Sequence, residues 1–285
     1  MRIVDDYIDI RRRDVGRGVY ARPLRFDVEI VGAGDPVILV HGLGSSPRVW
    51  DGLVRSLRKS HEVHILHIGG FDGMASLGNE SPGALLSIAG ELVDYATRLE
   101  APSVIGHSMG GLIAMIAAHR DPSAIAQVMV VDMLPFFSVL LHPFATIEHM
   151  EPLASMARAE MLSQDKQAFE DSQQAAMLKL ARTPNAIARA LKWSLAADRR
   201  TMANMMYEVM TTDLRHRLFG ITAPMTVLYA YDEDMGYSRA TVSGVYAMNY
   251  RGARNAKMRR IEAARHYVML DQPDVFVQEV ELFLS

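Results

Sequence analysis

The residues Gly106-His107-Ser108-Met109-Gly110 place a serine in the pattern G-x-S-x-G, directly after an apolar strand-like run over 102–105 and before a helix-like run over 112–119. In that setting the serine belongs on a sharp strand-to-helix turn. Its hydroxyl then stands at the open edge of a sheet, and the glycines let backbone segments crowd together where a Cβ would clash. The chemistry indicated is nucleophilic attack by Ser108 on a carbonyl. Attack creates a tetrahedral oxyanion, whose charge calls for two preorganised backbone N–H groups. Met109, the residue after the nucleophile, is assigned one of them. Leu43 is assigned the other, in the loop His41-Gly42-Leu43-Gly44 that ends the apolar run 37–40. His41 is read as a brace for that loop, held by hydrogen bonds and outside the proton transfer.

Ser108 needs a general base, and the chain order serine, acid, histidine puts it late. His266 occupies a loop after a strand at 257–261 and ahead of a closing amphipathic helix, with Asp271 as that helix's N-cap and Pro273 in its first turn. A carboxylate must then accept from the histidine Nδ1–H; losing that group in a serine-protease triad costs about 10⁴ in kcat. The apolar run over 224–230 leads into Tyr231, Asp232, Glu233 and Asp234, three competing carboxylates. Asp232, nearest the strand end, is the assigned acid, with Glu233 and Asp234 as open alternatives.

Residues 6–13 and 24–31 alternate as antiparallel edge strands do. From Val37 the pattern becomes strand, helix, strand. Helices are expected from Ser46-Pro47 to about residue 59 and from Ser81-Pro82 to about residue 99, and strands over 37–40, 63–68, 102–106, 127–132, 225–230 and 257–261. Repeated crossovers of this kind make parallel strands. The sheet therefore has eight strands, mostly parallel, and the chosen site residues fall at strand carboxyl ends, where ligands bind in such sheets. Between residues 135 and 217 strand signals stop. Thr183-Pro184 opens a helix, and Met202, Met205, Met206, Val209 and Met210 share another helix's face. The resulting parse is a core over 1–134 and 218–285, with a helical cap over 135–217 inserted after the sixth strand.

Through His41-Gly42, Gly106-His107-Ser108-Met109-Gly110 and His266, the chain resembles the α/β-hydrolase superfamily over nearly its whole length, and most closely its capped serine esterase-like members. In that comparison the run Val130-Val131-Asp132-Met133-Leu134-Pro135 resembles the strand leading into the cap. The likeness implies an α/β-hydrolase fold, a Ser-Asp-His triad and hydrolysis of a carboxylic ester-type bond. Two departures stand out. Ala230 and the acidic cluster replace the usual glycine and aspartate, strict spacing falling on Glu233, and the loop Gly69-Gly70-Phe71-Asp72-Gly73 lacks the aspartate-arginine-glycine start common in relatives. A lactonase, a carbon-carbon bond hydrolase, an acyltransferase, a perhydrolase or a non-catalytic ligand-binding scaffold would carry the same residues. A serine at the elbow argues against the dehalogenase and epoxide-hydrolase branches, which use an aspartate there.

Composition narrows the classes further. A chain of 285 residues, 49% hydrophobic and 22% charged, can bury a full α/β core plus an insertion. Its formal charge of −3 gives no electrostatic footprint for nucleic acid, and the short run Arg11-Arg12-Arg13 reads as a strand edge. With no cysteine there are no disulfides or thiolate metal sites, and His61, His64 and His67, if strand residues, cannot converge on one ion. No metal or cofactor is expected. No run reaches the roughly 18 apolar residues of a membrane span, and the first residues lack a signal-peptide pattern. The expected protein is cytoplasmic, acts on a small-molecule ester-like substrate, touches neither nucleic acid nor membrane, and is compatible with a homodimer.

Overall fold

Short runs of Val, Ile, Leu and Met bounded by glycine, proline or polar turns become the strands of one twisted sheet. The computed structural model describes residues 24–285. The strands are β1 (Phe26–Gly32), β2 (Asp35–Val40), β3 (His61–Ile68), β4 (Ser103–His107), β5 (Gln127–Val131), β6 (Met225–Tyr231) and β7 (Ala256–Glu262). They lie in the order β1-β3-β2-β4-β5-β6-β7. Only β1 runs antiparallel to its neighbour; the other pairings are parallel. Among the described residues the sheet thus has seven strands where eight were expected, and the strand read over 6–13, with Arg11-Arg12-Arg13, lies outside the described residues.

Ten helices complete the described chain: α1 (Asp51–Leu57), α2 (Ala84–Ala96), α3 (Met109–Arg120), α4 (Ile147–Ser163), α5 (Lys166–Leu180), α6 (Pro184–Ala196), α7 (Arg199–Thr211), α8 (Arg239–Asn249), α9 (Val268–Asp271) and α10 (Pro273–Leu284). Alternate strand residues feed two separate cores, as the two-residue period of a strand requires. Ile38, Val40, Val104 and Val130 pack with α2 and α3 on one face. Val37, Leu39, Ile105 and Val131 pack with α1 and α10 on the other. A sheet covered on both faces needs such unbroken apolar strands, and β4 is buried at every position.

Register brings the important strand ends level. Val40 pairs with Gly106 and His107 with Val131, so the residues that follow β2, β4 and β5 emerge together at one rim. Between β5 and β6 the chain forms α4 to α7 and no strand. Thr146, Asp165, Thr183 and Asp198 start these four helices, each side chain accepting the third residue's N–H as an N-cap does. Two local expectations are corrected. The segment from Ser46 begins as a 3₁₀ turn, Pro47–Trp50, before α1. Gln272, and not Asp271, precedes α10, because Asp271 closes the one-turn α9 and its carboxylate turns to the N–H groups of Arg265, Arg182 and Thr183.

Candidate active site

Ser108 sits between β4 and α3 with φ 54° and ψ −122°, a conformation an L-residue holds only when its surroundings impose it. Two close approaches impose it here. A Cβ on Gly106 would lie 2.3 Å from the Gly110 carbonyl oxygen, and one on Gly110 would lie 2.1 Å from the Val40 carbonyl oxygen. The strained angles also take the hydroxyl away from capping duty. A serine before a helix normally accepts the second or third N–H from an extended conformation, whereas the Ser108 side chain makes no such bond. Its main chain is fixed instead, the N–H donating to the Val131 carbonyl and the carbonyl accepting from Gly111 and Leu112.

The loop carrying Leu43 lies against this turn. A Cβ on Gly42 would meet both Ser108 Cβ and His107 Nδ1 at 3.0 Å, so glycine is what allows the approach. Met109 is the first residue of α3, where N–H groups have no partner inside the helix and the dipole favours negative charge. The loop that carries Leu43 and the start of α3 at Met109 thus both adjoin Ser108. His41 is fully buried, its Nδ1–H donating to the Gly42 carbonyl at 2.9 Å and its Nε2 accepting from the Ile68 N–H at 3.4 Å. Burial drives its pKa down to about 4, the Gly42 bond offsetting part of that, so it braces the loop as a neutral ring.

His266 is held from both sides. Its carbonyl accepts from Nε2 of His107, the residue adjoining Ser108, at 2.9 Å, and the two rings lie 4.6 Å apart. Burial, then the neighbouring His266, push the His107 pKa down to about 3 and keep its ring a neutral donor. The Nδ1–H of His266 donates to Asp132 Oδ2 at 2.8 Å. That tautomer leaves Nε2 as the basic nitrogen. Asp132 follows β5 in a left-handed conformation, φ 50°, and its Oδ1 accepts from the Ala230 N–H and the Tyr246 hydroxyl. Burial works to raise its pKa, but the hydrogen bond and charge of His266, with those two donors, hold it below the usual carboxylate value. Among the described residues no hydrogen bond joins the Ser108 hydroxyl to the His266 ring; such bonds commonly tighten only when substrate is bound.

Asp232 is not brought to His266. Its carboxylate is buried between Arg265, at 3.0 Å, and Arg182, at 3.3 Å, and accepts from the Asp234 N–H. Register explains the difference. Asp132 donates its N–H to Leu228, inside β6, whereas Asp232 follows the end of that strand, farther along the sheet. The alternatives are engaged elsewhere too, Glu233 with Arg239 and Asp234 with Arg265, both largely exposed. The carboxylate opposite the histidine is therefore Asp132, which directly follows the apolar parallel strand β5, the position where site residues of such sheets collect.

The helical insertion touches this rim at the Leu43 loop. A Cβ on Gly44 would touch Met202 Sδ and Ser194 Oγ, each at 3.4 Å, so α6 and α7 lie on the Leu43 loop. Gly73 donates its N–H to Ala196, and Asp198 its N–H to Gly70.

Known proteins share this fold. Residues 37–279 match the model of the alpha/beta hydrolase family. A pimeloyl-[acyl-carrier protein] methyl ester esterase of Aliivibrio salmonicida is 24% identical over 273 residues, covering 89% of this chain and 94% of its own. Among solved structures, the enol-lactonase of Burkholderia xenovorans superimposes with a TM-score of 0.71 at 18% identity, covering 91% of this chain and 96% of its own. A thermophilic esterase from Thermogutta terrifontis gives the same TM-score and identity, covering 91% and 92%.

Proposed function

The chain belongs to the α/β hydrolase family, and from that premise we propose that it is a serine hydrolase cleaving a carboxylic ester-type bond of a small apolar substrate through an acyl-serine intermediate. The observation carrying this reading is the 2.8 Å contact of His266 Nδ1 with Asp132, beside a strained serine whose hydroxyl caps nothing. Asp132 fixes the tautomer of His266, whose Nε2 takes the Ser108 proton as Oγ attacks the carbonyl carbon. The Leu43 and Met109 N–H groups bind the oxyanion. One such donor is worth about 3 kcal/mol of transition-state stabilisation. Collapse breaks the bond to the leaving oxygen, which takes the proton from His266. Water, deprotonated by the same nitrogen, then releases the acid and restores Ser108.

Residues 135–217 act as a cap that excludes water from these contacts, and the thioether of Met202 over Gly44 supports an apolar substrate. The methyl ester esterase and the enol-lactonase among its relatives support an ester-type bond. Initial rates on a panel of aryl esters, lactones and vinylogous diketones, run beside Ser108→Ala, test the reading. Turnover of esters or lactones that disappears in the variant is expected. Equal rates in the variant would refute it.

A further inference from the structure

Asp232 occupies the place where the sequence leads one to look for the acid, yet it is buried between two arginines that come from different parts of the molecule. Arg265 adjoins His266; Arg182 lies in the turn between α5 and α6. The same two segments meet at further points. Arg265 Nη1 donates to the Leu178 carbonyl at 2.7 Å, and the Tyr267 N–H donates to the Leu180 carbonyl at 3.1 Å. Buried Asp271 accepts from the N–H groups of Arg182, Thr183 and Arg265 at 3.0 to 3.3 Å. The loop on both sides of His266 is thus tied to one corner of the helical insertion.

We propose that Asp232 is a positioning residue: acting through Arg265, it clamps the His266 loop to the α5–α6 corner, so that the catalytic imidazole and this part of the cap move as one body. The proposal rests on the serine-hydrolase reading. A carboxylate that is nearly inaccessible must be paired, and here the pairing spans the two bodies it has to hold together. Breaking it takes from Arg265 its nearest carboxylate, leaving Asp234 at 3.7 Å, and weakens the side-chain hold on the N-terminal side of His266, where Asp271 still accepts from the Arg265 N–H. The His266 ring stays bonded to Asp132, but its placement relative to Ser108 loosens.

The test is a double-mutant cycle of Asp232→Asn and Arg265→Gln, read by kcat and KM on p-nitrophenyl butyrate and by hydrogen exchange. Asp232→Asn is expected to lower kcat roughly tenfold to a hundredfold, the scale of a misplaced catalytic group, with KM little changed. The same substitution in the Arg265→Gln background should cost little more, because the two residues act as a unit. Amides at 265–267 and 180–183 should exchange faster together, with β4 and α3 unaffected. Wild-type kcat in Asp232→Asn, additive losses in the cycle, or independent exchange of the two segments would overturn the proposal. So would a loss of about 10⁴ in Asp232→Asn with Asp132→Asn near wild type, since Asp232 would then be the triad acid. If Asp232→Asn does not fold, Arg265→Lys reads the same link, because an ammonium lacks the planar fork that serves Asp232 and Leu178 at once; unchanged kcat and exchange there would equally overturn it. Absence of turnover in the wild type would end the hydrolase reading, while the exchange comparison still decides the clamp.

Discussion

The Nδ1 of His266 and Oδ2 of Asp132 stand 2.8 Å apart, joining a loop near the end of the chain to the tip of β5, 134 residues earlier. Asp132 is itself anchored by the Ala230 N–H and the Tyr246 hydroxyl, so its carboxylate cannot turn without losing two donors. Replacing it with Asn keeps the shape and removes the charge that stabilises an imidazolium. Asp132→Asn should lower kcat by about 10⁴ on an activated aryl ester, with KM little changed. A loss below tenfold in steady-state assays would mean that another carboxylate serves His266.

The strain at Ser108 gives a prediction about stability. Holding φ at 54° costs an L-residue about 1–3 kcal/mol, which glycine does not incur, while glycine's extra freedom in the unfolded chain takes back about 1 kcal/mol. Ser108→Gly should therefore be inactive yet unfold at no lower a temperature than the wild type. Calorimetry showing a marked fall in Tm would contradict the assignment of strain.

Much of this was legible in the chain, for physical reasons that also set the limit. Unbroken apolar runs such as 37–40 and 102–105 mark strands buried on both faces. Gly106 and Gly110 mark the tight turn, because nothing else fits beside the Gly110 and Val40 carbonyls. Chain order points to His266, which the structure sets against a carboxylate. The acid does not follow from chain order, because a carboxylate's role is decided by what faces it across the sheet. Asp232 and Asp132 both follow apolar strands, and only the register of β5 against β6, with the arginines arriving from residues 182 and 265, separates them. Asp271 departs from its expected capping role for a similar reason. Its neighbours in sequence suggest a cap, but its partners include the α5–α6 turn, 88 and 89 residues away.

Gly110 offers a steric test of the elbow. An added methyl group would sit 2.1 Å from the Val40 carbonyl oxygen, a contact that only backbone movement can relieve. Overpacking of this kind costs about 1–3 kcal/mol or more. Gly110→Ala should lose at least that in urea unfolding and lose activity with it, whereas an unchanged midpoint would contradict the close packing of β2 on α3.

Two buried histidines set a pH dependence of stability. The folded state keeps His107 and His41 neutral down to about 3 and about 4, while in the unfolded chain both gain a proton near 6.5. The unfolded state then binds more protons, so their contribution is complete above about 6.5 and is lost as pH falls toward the folded values. Each adds a slope of about 1.4 kcal/mol per pH unit inside that window. In His107→Gln, which retains a donor for the His266 carbonyl, the fall in unfolding free energy between pH 6 and 4.5 should be shallower by about that amount. Parallel curves for the two proteins would show that His107 is not held neutral.

The central claim is that Ser108 is a nucleophile activated by His266, and covalent capture reads it directly. A fluorophosphonate incubated with the protein should add once, with peptide mass spectrometry locating the adduct on Ser108, and labelling should collapse in His266→Ala. Labelling at another serine, or an unlabelled protein that still hydrolyses the ester panel, would contradict the account.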